Sequence, residues 1–526
     1  MIYLLPHSID YSAEKFPHQE AFRFENKSLT YQELVEQANT LAHLLIDQGL
    51  KKGDRIGVYC NKSLESAIAI YGIMKAGGAY VPLDPSAPAT RIRFILKNCQ
   101  IRGIITQPQK QPYIKEILQE TTPLEYVVGL PGNSELPIRI FDWKIVTDIS
   151  AKSSPKIKII EQDLAYIMYT SGSTGEPKGI MHTHKSGLSY AKMSAHTYNL
   201  NEGDRLGNHS PLHFDMSTLD YFTGPLVGAT TVIIPEAYTK IPASLGQLIE
   251  TEKITIWYSV PFALIQLLHR GLLPNHDLSS LRWILFGGEP FPPKYLYELM
   301  KLLPQARFCN VYGPAEINQC SYYHIPPLES ILNEPVPLGK IWDNAEELVV
   351  DEEDKRVTEG EIGELLVRTP TMMQGYWQNP DLNKKAFFYR NTIGNHQEVF
   401  FRTGDLVRLE PDGNYRFLGR KDRQIKTRGY RVELDEIETA LVSHPLVEEA
   451  GVFGVENDSG SQHIEAAVTL KGQEKITPTE LIRYGSNILP RYAVPLKISI
   501  REELPRTTSG KIDRRALQQE AVRNMN

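Results

Sequence analysis

The sequence has few of the features that mark secreted, membrane-bound or nucleic-acid-binding proteins. Its 526 residues include four cysteines, which are widely separated and form no CxxC pair: Cys60, Cys99, Cys309 and Cys320. The number and spacing of the cysteines indicate neither a disulfide framework nor a zinc site, and they are typical of a protein in a reducing compartment. The net charge of −6 lacks the basic excess expected of a protein that binds nucleic acid.

Signals for export or membrane insertion are also missing. Segment 1–17 has no basic stretch followed by a long apolar core, so we expect no signal peptide. The most apolar stretch, residues 67–83, is interrupted by Lys75, Gly77 and Gly78 and does not match a membrane span. The sequence therefore predicts a cytoplasmic protein with no membrane partner and no nucleic-acid partner.

A chain of this length is too long to fold around one hydrophobic core, so we expect two or three domains. Leu34, Leu41 and Leu45 follow helical spacing, and short apolar β-runs are distributed along the chain. These runs are IGVYC, RGIITQ, DLAYIMY, TTVIIP, ITIWYSV and RWILFGG. Buried strands separated by helical segments predict an α/β fold with largely parallel sheets.

The composition changes near residue 420. Segment 419–431, GRKDRQIKTRGYR, is rich in Lys and Arg and almost free of core residues. A new helical pattern and two strands, AGVFGV and HIEAAVTL, follow it. We therefore expect a large N-terminal α/β domain over residues 1–421 and a small, mobile α+β domain over residues 422–526.

The most informative motif is YTSGSTGEPKG at residues 169–179. Its glycines let the backbone approach a ligand closely, while hydroxyl and backbone N–H groups offer donors to an anion. Lys178 adds a positive charge. The register matches neither the common P-loop nor the dinucleotide-binding G-x-G-x-x-G pattern. The motif therefore predicts another kind of loop that binds the phosphates of a nucleotide.

This loop resembles the phosphate-binding loop of the adenylate-forming enzymes, which include acyl- and aryl-CoA ligases, luciferases and the adenylation domains of nonribosomal peptide synthesis. Further motifs similar to those of the family follow in the family's order over nearly the whole chain. They are LTYQEL at 29–34, KAGGAYVPLDP at 75–85, NVYGPAE at 310–316, FRTGDL at 401–406, GRKD at 419–422, LPRYAVP at 489–495 and SGKIDRR at 509–515. The resemblance implies an AMP-forming ligase.

The resemblance also implies roles for individual residues. Tyr312 would stack on adenine, Asp405 would accept hydrogen bonds from the ribose hydroxyls, and Glu316 would hold Mg²⁺ beside ATP. Lys511 would be catalytic, together with Thr170 and Glu316. The nucleotide-binding residues implied in this way are Thr170, Ser171, Gly172, Ser173, Thr174, Gly175, Lys178, Gly288, Asn310, Tyr312, Gly313, Asp405, Phe417 and Arg420.

The segment HFDMSTLDYF at 213–222 bears on the substrate. In relatives that activate α-amino acids, an aspartate in this context pairs with the substrate ammonium, and Asp215 matches it. A helix-capping role for Asp215 is the alternative, since Ser217 and Thr218 are also capping residues. The implied amino-acid pocket comprises Asp215, Met216, Leu219, Tyr258, Leu285, Gly287, Val311, Gln319 and Cys320.

This pocket resembles that of enzymes that adenylate L-proline and load it on a carrier protein. Alanine, valine or another small apolar amino acid is the alternative substrate. The small domain would rotate about Asp422 to admit the phosphopantetheine thiol of a separate carrier. The chain contains neither a G-G-x-S attachment site nor an H-H-x-x-x-D-G condensation motif, which favours a stand-alone enzyme, although an excised domain would look almost the same.

Three other functions compete with this interpretation. An acyl- or aryl-CoA ligase would have no need of Asp215. A D-alanine–carrier ligase would share the chemistry. A non-catalytic binding protein that keeps the fold would normally have lost Lys511, Glu316 or Asp405, and all three are present.

Overall fold

The computed structural model describes residues 1–148, 151, 153–172, 176–327, 335–456, 462–472, 476–507 and 512–524. Its strands are β1 Glu20–Phe24, β2 Lys27–Thr30, β3 Arg55–Tyr59, β4 Ala79–Pro82, β5 Gly103–Thr106, β6 Tyr126–Val128, β7 Arg139–Phe141, β8 Leu164–Thr170, β9 Lys178–Thr183, β10 Arg205–Asn208, β11 Thr230–Ile233, β12 Ile256–Ser259, β13 Trp283–Gly287, β14 Arg307–Tyr312, β15 Ser321–His324, β16 Lys340–Ile341, β17 Glu346–Val350, β18 Ile362–Arg368, β19 Gly375–Tyr376, β20 Phe387–Asn391, β21 Gln397–Leu409, β22 Tyr415–Arg420, β23 Gln424–Thr427, β24 Tyr430–Glu433, β25 Val447–Glu456, β26 Gln462–Leu470 and β27 Lys497–Ile500.

Its α-helices are α1 Pro6–Lys15, α2 Tyr31–Asp47, α3 Leu64–Lys75, α4 Ala89–Asn98, α5 Gln111–Ile117, α6 Lys144–Thr147, α7 His184–Thr197, α8 Gly224–Val227, α9 Glu236–Thr239, α10 Pro242–Glu252, α11 Pro261–Arg270, α12 Pro293–Leu302, α13 Pro380–Ala386, α14 Leu434–Val442, α15 Pro478–Ser486 and α16 Arg514–Arg523. A π-helical turn, Leu219–Thr223, precedes α8. No helix in the described ranges is long and apolar enough to cross a membrane.

Two large sheets form the N-terminal part. One has eight strands in the order β19-β9-β8-β4-β3-β5-β6-β7, and the other has nine in the order β16-β15-β14-β13-β12-β10-β11-β1-β2. Most pairs, such as β3–β4, β12–β13 and the edge pair β6–β7, are parallel, whereas antiparallel pairs such as β8–β9 and β14–β15 lie toward the other edge of the first sheet and toward the edges of the second. The predicted α/β fold with largely parallel sheets is confirmed.

Helices cover these sheets because the apolar faces of the helices and of the sheets are buried when they pack together. Helix α2 begins with a capping box in which Thr30 and Glu33 satisfy each other's backbone N–H groups. Its apolar stripe, including Leu34 and Leu41, is buried against α3. At Gly72 of α3, a Cβ atom would lie 2.7 Å from Leu41 Cδ2, so the glycine permits the close packing of these helices.

A five-stranded antiparallel sheet, with β17-β18-β21-β20 in order and β22 beside β21, follows the large sheets. Beyond it lie the β23–β24 hairpin and a three-stranded sheet β25-β26-β27 with its own core, which includes Ile437, Val452 and Leu481. Strand β22 ends at Arg420 and β23 begins at Gln424, so the predicted boundary at residue 421 lies between them. The division into two domains at that residue remains a prediction.

Candidate active site

The glycine-rich loop connects two antiparallel strands, since Thr170 at the end of β8 pairs with Lys178 at the start of β9. At Gly172, a Cβ atom would lie 2.0 Å from the backbone oxygen of Glu176. The two limbs of the loop therefore approach so closely that only glycine fits there. Ser173, Thr174 and Gly175, at the tip of the predicted loop, lie outside the described residues, as does the predicted catalytic Lys511.

Glu316, the predicted magnesium ligand, is completely buried in a network of donors. Its Oε2 accepts a hydrogen bond from Arg431 Nη1 at 2.6 Å, and its Oε1 accepts from the Tyr376 hydroxyl at 2.7 Å. Lys178 Nζ lies 3.6 Å from Oε1. Burial alone would raise the pKa of Glu316, but Arg431 and Lys178 outweigh it and hold the pKa well below its usual range.

A magnesium ion does not fit Glu316 in this conformation, because both carboxylate oxygens already accept hydrogen bonds from side chains. The described residues also contain no cluster of three His, Cys, Asp or Glu side chains with the spacing of a metal site. A metal could reach this carboxylate only if Arg431 moved away. The predicted role of Glu316 thus depends on the position of a strand in the C-terminal region.

The predicted ribose-binding carboxylate forms a second network. The Tyr312 hydroxyl donates to Asp405 Oδ2 at 2.5 Å, and Arg420 pairs with the other oxygen of Asp405. Arg420 also binds Asp422, the predicted hinge, with Nε and Oδ1 2.7 Å apart. Burial would raise the pKa of Asp422, but the bond from Arg420 lowers it below its usual value. Three predicted nucleotide-site residues and the predicted hinge are therefore directly connected.

A cavity of about 100 Å³ lies between the loop, the end of β14 and the β23–β24 hairpin. The predicted residues that line it are Thr170, Ser171, Asp215, Met216, Tyr258, Gly288, Val311, Tyr312, Gly313, Gln319, Asp405 and Arg420. Asn310 and Phe417 are outside this lining. Asn310 donates to the Pro337 carbonyl at 2.7 Å, and Phe417 packs in the cluster around Leu365 and Val407. Most of the predicted nucleotide and amino-acid residues thus share one cavity.

Asp215 lies in the wall of this cavity. Its Oδ1 accepts the adjacent Met216 N–H at 3.0 Å, rather than an amide two or three residues further on as a helix cap would. The pKa of Asp215 is raised to about 6, mainly by burial and to a smaller extent by the nearby Glu316, whereas the Met216 amide, Lys426 and Arg431 oppose the shift. This carboxylate is the group in the wall that would gain most from a cationic ligand.

An apolar cluster lies beneath Asp215. Leu219, Leu285 and Val311 pack there with large aromatic residues that the sequence did not single out: Tyr190, Tyr198, Trp283 and Trp342. Both tryptophans are less than 5% exposed. At Gly287, a Cβ atom would lie 2.2 Å from the Val311 carbonyl oxygen, so only glycine fits at this position, and Gly287 is not part of the described lining of the cavity.

The side chains of the last two predicted pocket residues, Gln319 and Cys320, point in different directions. Gln319 lines the cavity, and its amide donates to the Tyr198 hydroxyl at 2.9 Å. Cys320 is fully buried in a different cluster, with Tyr312, Ile317 and Leu338. The two side chains are adjacent in sequence and lie on opposite sides of the chain, so Cys320 does not contribute to the described lining of the cavity.

A second cavity, of about 590 Å³, meets the first at Phe214, Met216 and Tyr492. Its outer part is lined by four exposed cations, Lys240, Arg270, Arg428 and Arg491. It leads from the protein surface to the wall that carries Asp215. The arrangement provides a separate path to the inner cavity.

The β23–β24 hairpin closes over the junction of the two cavities. Arg428 and Gly429, with φ angles of 52° and 81°, form its turn, and positive φ at both central residues is typical of a type I′ turn. The Gly429 N–H donates to Glu289 Oε2 at 3.2 Å. A Cβ atom on Gly429 would lie 2.4 Å from Val260 Cγ1, so only glycine allows this approach.

Sequence reasoning missed the residues of β24 that enter the site, above all Arg431 and Glu433. Both belong to the segment GYRVE, whose first three residues form the end of the positively charged run that indicates a domain junction. The available signal was the alternation of charged and apolar residues in that segment, which indicates a strand with one charged face. That pattern does not reveal which part of the molecule the charged face contacts.

Comparisons with known proteins agree with this arrangement. Residues 9–377 match the family described as AMP-binding enzyme, and residues 436–511 match the AMP-binding enzyme C-terminal domain. The chain is 33% identical over 515 residues to an L-proline–[L-prolyl-carrier protein] ligase of Pseudomonas fluorescens, covering 98% of both chains. It is also 33% identical over 506 residues to tyrocidine synthase 1 of Brevibacillus parabrevis, covering 96% of this chain and 44% of that protein.

Among solved structures, the chain is similar to the adenylation domain AlmE of Vibrio cholerae in complex with glycyl-adenosine-5'-phosphate. The TM-score is 0.83 at 26% identity, and the similarity covers 99% of this chain and 98% of that one. The structural similarity extends over nearly the whole chain, and the two family matches together cover most of it. The chain belongs to the AMP-binding enzyme family.

Proposed function

We propose that this protein activates an α-amino acid with ATP and transfers the aminoacyl group to the thiol of a carrier protein. In the first step, a carboxylate oxygen of the amino acid attacks the α-phosphorus of ATP, and pyrophosphate leaves with the electron pair of the broken P–O bond. In the second step, a thiolate sulfur attacks the carbonyl carbon of the aminoacyl-AMP, and AMP leaves.

The observation that carries the proposal is the position of Asp215. Its carboxylate lies in the wall of a cavity that also contains the nucleotide-motif residues Tyr312, Gly313 and Asp405. Burial raises its pKa to about 6 although Lys426 and Arg431 lie near, so a further cation would favour its charged form. A substrate ammonium would supply that cation, whereas a fatty or aryl acid would leave it missing.

The first step depends mainly on positioning and on charge. Thr170 and Ser171 at the end of β8 would orient the phosphates, and Lys178 would stabilise charge on the phosphoryl oxygens. Lys511, by its similarity to the family's catalytic lysine, would add a further cation. ATP is the nucleotide that the family membership implies.

The larger cavity supports the transfer step. It reaches the inner cavity beside Phe214 and Met216, so an extended thiol arm could approach the adenylate from the side opposite the phosphate loop. The exposed cations Arg428 and Arg491 near its outer end would suit a phosphodiester on that arm. The Pseudomonas relative is a ligase that acts on a carrier protein, which supports the same kind of partner here.

For the side chain we propose L-proline. Tyr258, Val311 and Met216 line a small inner cavity, and the buried aromatic cluster below them leaves little depth for a long side chain. The L-proline ligase similar over 98% of both chains supports the same substrate. Alanine and valine remain the alternative because Gln319 and Gly287 do not by themselves require a ring.

The proposal is tested by amino-acid-dependent exchange of pyrophosphate into ATP, measured with the twenty amino acids, pipecolate, fatty acids and aryl acids. We expect the fastest exchange with L-proline, followed by loading of a phosphopantetheinylated carrier. Preference for a fatty or aryl acid, with acylation of coenzyme A, would identify an acyl-CoA ligase instead. Absence of exchange with every acid would identify a protein that has kept the fold without the activity.

A further inference from the structure

Two residues from separate sequence motifs, His213 and Asp84, lie side by side in the structure. His213 is the first residue of HFDMSTLDYF, and Asp84 belongs to KAGGAYVPLDP. His213 Nε2 lies 3.9 Å from Asp84 Oδ2, and the two side chains are only 13% and 15% exposed. The other oxygen of Asp84 accepts hydrogen bonds from the Ser86 backbone and hydroxyl, each at 2.8 Å, so the carboxylate is held in place beside the imidazole.

His213 lies where the two cavities meet. The described residues that line both cavities are His213, Phe214, Met216, Gly429 and Tyr492. Among these five, only the imidazole and the phenol can exchange a proton. Burial raises the pKa of Tyr492 above its usual value, so its hydroxyl keeps the proton. His213 is therefore the group in this shared lining that can accept a proton near neutral pH.

The surroundings keep the ring of His213 neutral. Burial lowers the pKa of His213 below its usual value, Asp84 and Glu236 oppose this effect, and Arg91 adds to it. Burial also raises the pKa of Tyr430, which lines the larger cavity, so this phenol stays uncharged. Nε2 of His213 is enclosed and has no hydrogen-bond partner among the described residues. Because Nε2 faces the carboxylate, Nδ1 is the ring nitrogen left for a group in the cavities.

The thiol of the second step needs a base at this place. A free cysteine thiol has a pKa of about 8.5, so at most about 3% of a comparable alkyl thiol is thiolate at pH 7. Only the thiolate is a good nucleophile. A thiol arm that follows the larger cavity to the inner one passes the residues that line both, and hence His213.

We propose that His213 is the general base of the transfer step and that Asp84 is its positioning residue. The S–H proton moves to His213 Nδ1, and the electron pair left on sulfur forms the bond to the carbonyl carbon of the aminoacyl-AMP. The C–O bond to the phosphate breaks, and AMP leaves with its electron pair. Asp84 stabilises the imidazolium until the ring releases the proton to water. This inference rests on the proposed function, which supplies the thiol and the aminoacyl-AMP.

The test is the pH dependence of the transfer step alone, measured in single turnovers from chemically prepared prolyl-adenylate to pantetheine. In the unchanged protein, we expect a nearly constant rate from pH 7 to 9, because His213 is already neutral at pH 7 and removes the thiol proton itself. With His213→Gln, only thiol that is already ionised can react. The rate at pH 7 should therefore fall at least about thirtyfold, and it should rise about tenfold per pH unit up to the pKa of the thiol.

The matched control is His209→Gln. His209 lines the larger cavity but is not part of the described lining of the inner one, and burial lowers its pKa to about 3, so it is also a neutral histidine. This variant should keep the flat profile of the unchanged protein. A steep profile in both variants would show that the effect does not depend on the position of His213 and would overturn the proposal.

Asp84→Asn tests the positioning residue. The amide keeps the size of the side chain and can still accept hydrogen bonds from Ser86, but it removes the charge beside the ring. We expect a flat profile with a lower maximal rate, because His213 still takes the proton while the imidazolium loses its partner. The pantetheine concentration that gives half the maximal rate should stay the same. A maximal rate equal to that of the unchanged protein would overturn the role of Asp84.

The outcomes separate this inference from the proposed function. A transfer rate that rises tenfold per pH unit in the unchanged protein would overturn the general base, and that measurement requires no variant to fold. A loss of equal size at every pH in His213→Gln would also overturn it, because it would indicate a structural effect. If no amino acid supports pyrophosphate exchange and no transfer occurs, the proposed function itself fails.

Discussion

The two halves of the candidate active site differ in how their charges are compensated. On the amino-acid side, the single carboxylate of Asp215 faces the cavity and has a raised pKa of about 6. On the phosphate side, Glu316 and Lys178 are held by Arg431 and Glu433, and the pKa of Glu316 is well below its usual range, because these partners outweigh the effect of burial. On the amino-acid side, Asp215 lacks a charged partner that a ligand could provide. On the phosphate side, side chains of the protein itself already pair with the charged groups.

This difference teaches how one site could serve two reactions. A carboxylate left without compensation keeps its affinity for a substrate ammonium throughout the cycle. Under the proposed function, the phosphate site is needed only until pyrophosphate leaves, whereas the amino-acid site is needed in both steps.

The largest expected effect is that of Lys511→Ala, at a residue outside the described ranges. If this lysine stabilises the transition state of adenylation only, exchange of pyrophosphate should fall by about a hundredfold or more. Transfer from chemically prepared prolyl-adenylate to the carrier thiol should continue at a nearly normal rate. The two half-reactions assayed separately decide this, and an equal loss in both would contradict a division of work between them.

On the amino-acid side, Asp215→Ala should reduce proline-dependent exchange by about tenfold or more, because the substrate ammonium loses its only predicted anionic partner. Binding of ATP, followed by calorimetry, should be nearly unchanged, since the altered group lies on the other half of the cavity. Exchange rates equal to those of the unchanged protein would remove the basis for the amino-acid assignment.

Where the halves meet, Gly429→Ala should slow carrier loading several-fold. The added Cβ would lie 2.4 Å from Val260 Cγ1, and the φ of 81° is also unfavourable for alanine. Gly472→Ala is the matched control, because its φ of 69° imposes similar strain while no atom lies within 4 Å of the added Cβ. Single-turnover loading of both variants would measure the effect of the contact alone. Equal rates would show that hairpin docking does not limit transfer.

The last expected effect concerns stability rather than a rate. The folded-state pKa of Asp215, about 6, lies above the ordinary value of 3.8, so its charged form destabilises the free protein above pH 6. Asp215→Asn should therefore stabilise the free protein by about 1–3 kcal/mol at pH 7.5, and this gain should vanish below about pH 4. Thermal unfolding at the two pH values tests this. If Asp215→Asn is less stable than the unchanged protein at pH 7.5, the conclusion that the charge of Asp215 is uncompensated is wrong.

Local sequence patterns were sufficient for much of the fold. Strands such as β8 and β13 are continuous apolar runs, because both faces of a parallel sheet are covered. Tyr312, Asp405 and Asp215 could be located because each lies within a longer motif, and the structure brings all three to one cavity. Their individual functions are still predictions.

The charged partners could not be found in the same way. Arg431 is one of several cations in the basic run, and nothing in that run distinguishes the arginine that enters the site from Arg428 at the surface. The distinction depends on the turn at Gly429, which sets the direction of β24. Similarly, motif position placed Cys320 beside Gln319 in the pocket, whereas alternation along the chain directs it into a different cluster.

The two buried tryptophans under the amino-acid cavity have a spectroscopic consequence. The protein has five tryptophans, and Trp283 and Trp342 lie in the cluster that contacts Val311 and Leu285. Tightening of that cluster around a bound side chain would change their ultraviolet emission, whereas events at Lys178 would affect it far less. The protein thus contains a natural optical probe for one half of its site, and titrations with free amino acids need no attached dye.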